Sequence, residues 1–550
     1  MAHQTEALAR PPAAGLALRP LLAPLLIGLA AFALFCIGLD RGPDFDELYH
    51  LLAARGWLET GEPRIADGVY ERTTLFTILV ARFLALLGDG LAVARLPSVL
   101  ASATLAALFF AWLRRTGGAP AAWVGTLLLV LSPFTIDFAQ FVRFYALQSL
   151  AFFVGTIAVF RSVTEPAPPL RQLGLLLGAA LAFAAAVYLQ VTALVGLAGL
   201  GLWLALAVLV PWLWRQPRSR RHGLLLGAAA LALALLALAV ASGAAARILE
   251  LYRSVPLAAA QSADEVWYYH FWLILYYPTL WSLFPLVALV ALAVRPRPTL
   301  LALCIFGTAL ILHSFAAFKG TRFIAYALPF LYVVFGIALP ELWSWLRRMT
   351  RAALARLVPA EARAGAAPWL ERGALALVLL FAVAANTAFV RSAFLLADVR
   401  VPPQPARVDW TAAGGALAPR LASVDVLVAT SELDALYFLG RHDILLNRSR
   451  LSEMGEAADF HRDRRTGRLV IGSPEALARI IACFETGLIV SSSQRWRNPA
   501  WLDDRTADFI VRRTQRLDLP ASWNVRAYGW EHPPGTPRPA DCPRLEAGGG

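Results

Sequence analysis

Runs of apolar residues long enough to cross ~30 Å of hydrocarbon as helices recur along this chain, and they leave it few folds. They fall at roughly 20–39, 94–113, 119–136, 143–160, 172–190, 192–214, 223–243, 271–294, 299–317, 323–346 and 373–395. Hydrophobic residues make up 58% of the 550 and charged ones 16%, against roughly 45–50% and about 25% in soluble domains. The pattern predicts a mostly α, polytopic membrane protein with about eleven transmembrane helices. A net charge of +13 would point to nucleic acid in a soluble protein. Here the arginines cluster in short segments between apolar runs, as the positive-inside bias requires, so no nucleic-acid partner is expected.

Orientation follows from those segments. Arg114–Arg115, Arg161 to Arg171, RQPRSRRH (215–222), RPR (295–297) and RRMTRAALAR (347–356) all fit on the cytoplasmic side. The N-terminus is then inside, ahead of an uncleaved first span. Segments 40–93, 137–143, 244–270, 318–322 and everything after 396 are outside. The alternation requires that LFTILVARFLALLG (75–88) does not cross, and it is short and carries Arg82 midway. Together with ELYHLLAARGWLE (47–59) it reads as a pair of juxtamembrane helices along the outer surface, within a first external loop at 40–93.

Composition changes after VPPQP (401–405). DVLVAT (425–430), RLVIGS (468–473) and GLIVSSS (487–493) read as strands; SELDALYFLG (431–440) and PEALARIIACF (474–484) read as helices. This predicts two domains: a transmembrane part at 1–398 and a small extracytoplasmic α/β domain at 399–550. Trp410, Trp496, Trp501, Trp523 and Trp530 could build its core. In that compartment Cys483 and Cys542 can either pair or stay as two thiols. Cys36 and Cys304 lie in apolar runs as small hydrophobes.

The external loops hold the chemistry. RGPDFDELYH (41–50) places Asp44, Asp46 and Glu47 at the bilayer edge. SPFTIDFAQFVRFYAL (132–147) brings Asp137, Gln140, Arg143 and Tyr145, and FKGTRFIAY (318–326) brings Lys319 and Arg322. Tyr70, in the first loop, is a further candidate. Acidic residues after a first span are commonly a solvated loop, and Arg143 could be a snorkelling anchor. Lys319 and Arg322 run against the charge bias of an outer face, and Lys319 is the only lysine in the chain. Carboxylates on one loop and cations on two others suit a lipid-phosphate headgroup and a proton-accepting base. The Asp44-Phe45-Asp46 spacing could bind a divalent cation, but a lone D-x-D is weak support. No Cys/His cluster indicates zinc, and no cofactor or metal is predicted.

DELYHLLAARGWLETG (46–61), ARLPSVL (94–100), SPFTIDFAQFVRFYAL (132–147) and KGTRFIAYALPF (319–330) resemble the GT-C membrane glycosyltransferases. Within these, the chain looks most like bacterial relatives of protein O-mannosyltransferases and aminoarabinose transferases. The likeness covers about the first 165 residues well, the late spans loosely and the C-terminal region hardly at all. ERTTLF (71–76) departs from relatives that carry His or Pro-Pro before the Leu. The resemblance implies a GT-C fold with Asp46 as catalytic base and Glu47 as its acidic neighbour. Gln140, Arg143 and Tyr145 match a second external motif, and Lys319 and Arg322 match positions that meet the lipid phosphate.

The expected activity is inverting transfer of a sugar from a polyprenyl-phosphate donor. The acceptor would be a lipid, glycan or protein at the outer face of a bacterial cytoplasmic membrane. A ligase moving a lipid-linked oligosaccharide or polymer is the alternative. A transporter of lipid-linked sugars fits less well, because the spans carry almost no mid-depth charge and show no repeated halves.

Overall fold

The computed structural model describes residues 19–253, 264–357, 360–455 and 458–545. The expectation that the chain before Arg19 is cytoplasmic concerns residues outside these. So does part of the expected outer segment at 244–270.

Among the described residues, twelve helices fill the first half: α1 (Arg19–Phe35), α2 (Phe45–Thr60), α3 (Thr74–Leu87), α4 (Leu91–Thr116), α5 (Ala119–Val130), α6 (Pro133–Ala139), α7 (Tyr145–Thr164), α8 (Pro169–Leu189), α9 (Ala193–Leu204), α10 (Val210–Trp214), α11 (Arg218–Ala241) and α12 (Ala244–Arg253). A hairpin of β1 (Arg64–Ile65) and β2 (Gly68–Val69) joins α2 to α3, and a π-turn joins α9 to α10. The second half continues with α13 (Tyr268–Tyr276), α14 (Pro278–Ser282), α15 (Phe284–Val294), α16 (Pro296–Phe315), α17 (Leu328–Leu357), α18 (Ala360–Ala384) and α19 (Ala388–Leu396).

Six described helical segments are each long and apolar enough to cross a membrane, and two bent pairs bring the number to eight. The chain is a multi-pass membrane protein. Eleven runs were expected, and the three outside this number have identifiable features. Leu21–Phe35 is short. The run expected at 223–243, in α11, lies partly outside the fully described residues. The 271–294 run is cut into α13, α14 and α15, with Pro278 and Pro285 each in a helical first turn, where a proline is tolerated. Proline also marks the 61° bend between α5 and α6, where Pro133 opens α6.

The bundle centres on α17, whose residues from Leu328 to Ala338 are all buried. Its closest neighbour is α5. A Cβ on Gly336 would meet the Ala121 carbonyl oxygen at 2.7 Å and Gly125 Cα at 2.8 Å. Small residues thus let two backbones touch, as in membrane helix pairs generally.

The C-terminal region carries α20 (Trp410–Leu421), α21 (Glu432–Asp434), α22 (Arg448–Glu453), α23 (Pro474–Cys483) and α24 (Asp504–Arg513) around a seven-stranded sheet. Its strands are β3 (Val426–Ala429), β4 (Ile444–Leu446), β5 (His461–Arg462), β6 (Leu469–Ile471), β7 (Thr486–Ser492), β8 (Gln515–Leu517) and β9 (Val525–Glu531). They lie in the order β5-β6-β4-β3-β7-β9-β8, with β6, β4, β3 and β7 parallel. Alternation along β3 sends Val426 and Val428 to one apolar layer, with Trp496 and Trp530, and Leu427 to the other, with Trp410. The strands expected at 425–430, 468–473 and 487–493 are present as β3, β6 and β7. Cys483 and Cys542 are joined by a disulfide, their Cα atoms 5.6 Å apart.

Candidate functional site

The site begins with the N-terminus of α2. Asp44 accepts a hydrogen bond from the Asp46 amide, and the Glu47 carboxylate accepts one from the Asp44 amide at 2.8 Å, closing a capping box. This fixes the first turn of α2 and the direction of Asp46. Glu47 is 1% exposed and paired on both oxygens with Arg95, at 2.8 and 2.6 Å. It also accepts the Val142 amide at 2.9 Å. Arg95 in turn donates to the carbonyls of Leu39 and Arg41. The ARLPS stretch therefore acts as a clamp. Ser98, its other polar member, donates to the carbonyls of Phe141 and Arg143 at 2.8 and 3.1 Å. Gln140 adds bonds to the Phe35 and Ile37 carbonyls. These contacts seat the 140–143 loop against the end of α1.

Three expected loops converge as a result. The Asp46 carboxylate holds Arg322 at 2.5 Å and lies 3.7 Å from Arg143. Arg143 donates to the Tyr70 hydroxyl at 3.0 Å. Tyr70 stacks on Tyr49 with ring centroids 5.0 Å apart. These residues border a cavity of about 780 Å³ at one end of the bundle, which Asp44, Tyr145, Phe318 and Phe323 also line. The C-terminal region closes its far side with Glu432, Asn447, Ser449, Arg450, Glu453, Arg464, Arg465, Arg495 and Trp501.

The electrostatics of the two aspartates diverge. Burial pushes the Asp46 carboxyl up, but Arg143 and Arg322 outweigh it, so Asp46 sits below the ordinary carboxylate range and is ionised. Asp44 retains solvent contact inside the cavity. Crowding by protein, with the Asp46 charge beside it, pushes Asp44 up to about 6. Arg143 is held charged by Asp46 against the cost of its own burial.

Not every expected residue reaches the cavity. Asp44, Asp46, Tyr70, Arg143, Tyr145 and Arg322 line it. Glu47 and Gln140 are buried behind it in the clamp just described. Lys319 is also buried, and its Nζ donates to the Ala316 carbonyl at 2.7 Å, within its own turn. Asp137 opens on a separate recess of about 100 Å³ with Tyr276 and Arg391. The C-terminal wall is not legible in the sequence: Arg464 and Arg465 sit in the charge run RDRRTGR (462–468), and Glu432, Arg450 and Arg495 lie in separate segments with no local sign of convergence. Among the described residues no group of three or more His, Cys, Asp and Glu has the arrangement of a metal site.

No protein-family model matches the chain, and no curated protein matches it by sequence. Solved structures do match by shape. The aminoarabinose transferase ArnT from Cupriavidus metallidurans bound to undecaprenyl phosphate superposes with TM-score 0.57 and 14% identity, covering 93% of this chain and 98% of that one. Its apo form gives TM-score 0.57 and 18% identity, over 92% and 97%. The archaeal oligosaccharyltransferase AglB from Archaeoglobus fulgidus, in complex with an inhibitory peptide and a dolichol-phosphate, gives 0.55 and 11%, over 86% and 69%. The chain thus has the GT-C fold that its motifs resemble.

Proposed function

We propose that this protein is an inverting glycosyltransferase that moves a sugar from a polyprenyl-phosphate donor to an acceptor at the outer face of a bacterial cytoplasmic membrane. The observation that carries this reading is one carboxylate, Asp46, held between two arginines from separate loops in a cavity at one end of a membrane bundle. The fold supports it, being shared with a structure that holds undecaprenyl phosphate and one that holds a dolichol-phosphate. The basic connecting segments support the orientation, with the N-terminus inside, and residues 399–550 forming an extracytoplasmic domain. Helices α2 and α3 then lie at the outer interface.

In the reaction an acceptor oxygen attacks C1 of the sugar opposite the phosphate. The C1–O bond to phosphate breaks, and its electron pair leaves with the lipid phosphate. Arg143 and Arg322 stabilise that developing charge. Asp46 accepts the acceptor's proton. A donor phosphate competes with Asp46 for Arg322. Its arrival loosens the ion pair and raises the basicity of the carboxylate when a base is needed. Glu47 and Gln140 act by positioning, through the Arg95 clamp and the 140–143 loop.

Mass spectrometry of envelope glycolipids and glycoproteins from cells with and without the gene tests the reading. The expected result is a product heavier by one sugar that disappears in the deletion and in Asp46→Asn. An added oligosaccharide would identify the ligase reaction instead. No covalent difference in any envelope fraction would remove the enzymatic reading.

A further inference from the structure

The cavity has two walls, and the second poses its own question. Strands β6, β4, β3 and β7 run parallel, and chain order reverses between β3 and β7, since β4 and β6 lie to one side of β3 and β7 to the other. In open α/β sheets, ligands bind in the crevice beyond the carboxyl ends of the strands at such a reversal. Here that crevice faces the Asp46 cavity. Glu432 follows the end of β3, Asn447 and Ser449 follow β4, and Arg495 follows β7, and all four line the cavity.

Glu432 is the unusual member. It is 2% exposed. Its Oε1 accepts from the Tyr49 hydroxyl at 3.3 Å. Its Oε2 has no hydrogen-bond partner among the described residues, and Arg495 Nη1 stands 4.0 Å away. That arginine is turned to the Thr430 carbonyl and lies over the Phe45 ring, 4.6 Å from its centroid. A buried carboxylate oxygen left in this state is costly, and a donor entering from the cavity relieves the cost. A cationic amine would enter against Arg495, Arg450 and Arg465, so a neutral hydroxyl is the matching donor.

We propose that the C-terminal sheet supplies the acceptor subsite, with Glu432 accepting a hydrogen bond from a hydroxyl of a saccharide acceptor. This rests on the glycosyl-transfer reading. The donor phosphate occupies the Asp46–Arg143–Arg322 side, and the acceptor enters between it and the ends of β3 and β7. Glu432 is a specificity residue; Asp46 remains the base.

The test uses the full chain in nanodiscs with two probes. Undecaprenyl phosphate reports on the donor side. A total glycolipid and glycan extract of envelopes from cells lacking the gene, which holds unmodified acceptor, reports on the other, with deletion-strain membranes supplying donor. Glu432→Gln keeps the shape and an oxygen for Tyr49. It should raise the apparent KM for the extract about tenfold or more while kcat and undecaprenyl-phosphate affinity stay within about twofold. Arg495→Lys, which keeps the charge but replaces the planar fork with a single ammonium, should shift KM in the same direction. An unchanged KM in Glu432→Gln, or an equal loss of lipid-phosphate affinity, overturns the inference. So does a fall in thermal midpoint that accounts for the lost activity in both variants. Failure of the wild-type protein to turn over any extract component while it modifies envelope proteins overturns this inference alone; failure on every envelope fraction, proteins included, sinks the glycosyl-transfer reading and this inference with it.

Discussion

Asp46 illustrates how neighbours set the work of a single group. Burial alone would raise its pKa, and Arg143 and Arg322 reverse the sign. As the proposed base, Asp46 must be ionised to act, so activity should be lost as pH falls through its folded-state value, which lies below the ordinary 3.8. Arg322→Gln removes one lowering charge and should move the acid limb of the kcat/KM profile to higher pH; an unmoved limb would assign it to another group. Asp44, at about 6, ionises next to Asp46 between roughly pH 5 and 7. Asp44→Asn keeps a capping side chain and should flatten any inflection in the profile near pH 6. Glu47 has a different role. Its removal in Glu47→Ala leaves Arg95 buried and unpaired, with an expected loss of about 3–5 kcal/mol seen as a lowered thermal midpoint. The acidic cluster was legible from sequence as a group. Which carboxylate faced the cavity and which was buried in a clamp was not, because that depends on Arg95, 48 residues away.

At the scale of elements, the hairpin of β1 and β2 joins the two walls of the site by direct contact. Asp67 and Val69 donate backbone hydrogen bonds to the carbonyls of Thr466 and Arg464, and Arg468 pairs with Asp67 at 3.2 Å. A Cβ on Gly68 would stand 2.5 Å from the Arg465 carbonyl carbon. Gly467 has φ +72° and an equally close approach to Asp67, so two glycines make the contact possible. Gly68→Val should therefore separate the turn at 463–467 from the first loop. The expected readouts are lower transfer and faster limited proteolysis between the helical part and the C-terminal region; unchanged proteolysis would show that the contact does not hold them together. Helix α2 could be read from its apolar spacing and the acidic start that becomes its capping box. Strands β4 and β8 could not, since each is only three residues long and gains its pairing from its neighbours.

Across the whole molecule, the disulfide between Cys483 and Cys542 and the cavity wall sit in the same C-terminal region. The bond closes a loop with a sequence separation of 59. Cys542→Ser should cost roughly 2–4 kcal/mol, read as an earlier unfolding transition of that region. A membrane-impermeant reductant applied to intact spheroplasts checks sidedness. It should open the bond if the region is extracytoplasmic and leave it closed if the region is cytoplasmic. Sequence alone determined that the chain crosses membranes, because apolar length measured against bilayer thickness is a local property. It also determined which loops carry ionisable groups, and their order. Only the tertiary structure decided that Asp46, Arg143 and Arg322 share one cavity, that Glu47 and Gln140 lie behind it while Lys319 does not line it, and that the carboxyl edge of a distant sheet forms the opposite wall. Those outcomes depend on contacts between residues tens to hundreds of positions apart, and no local pattern encodes them.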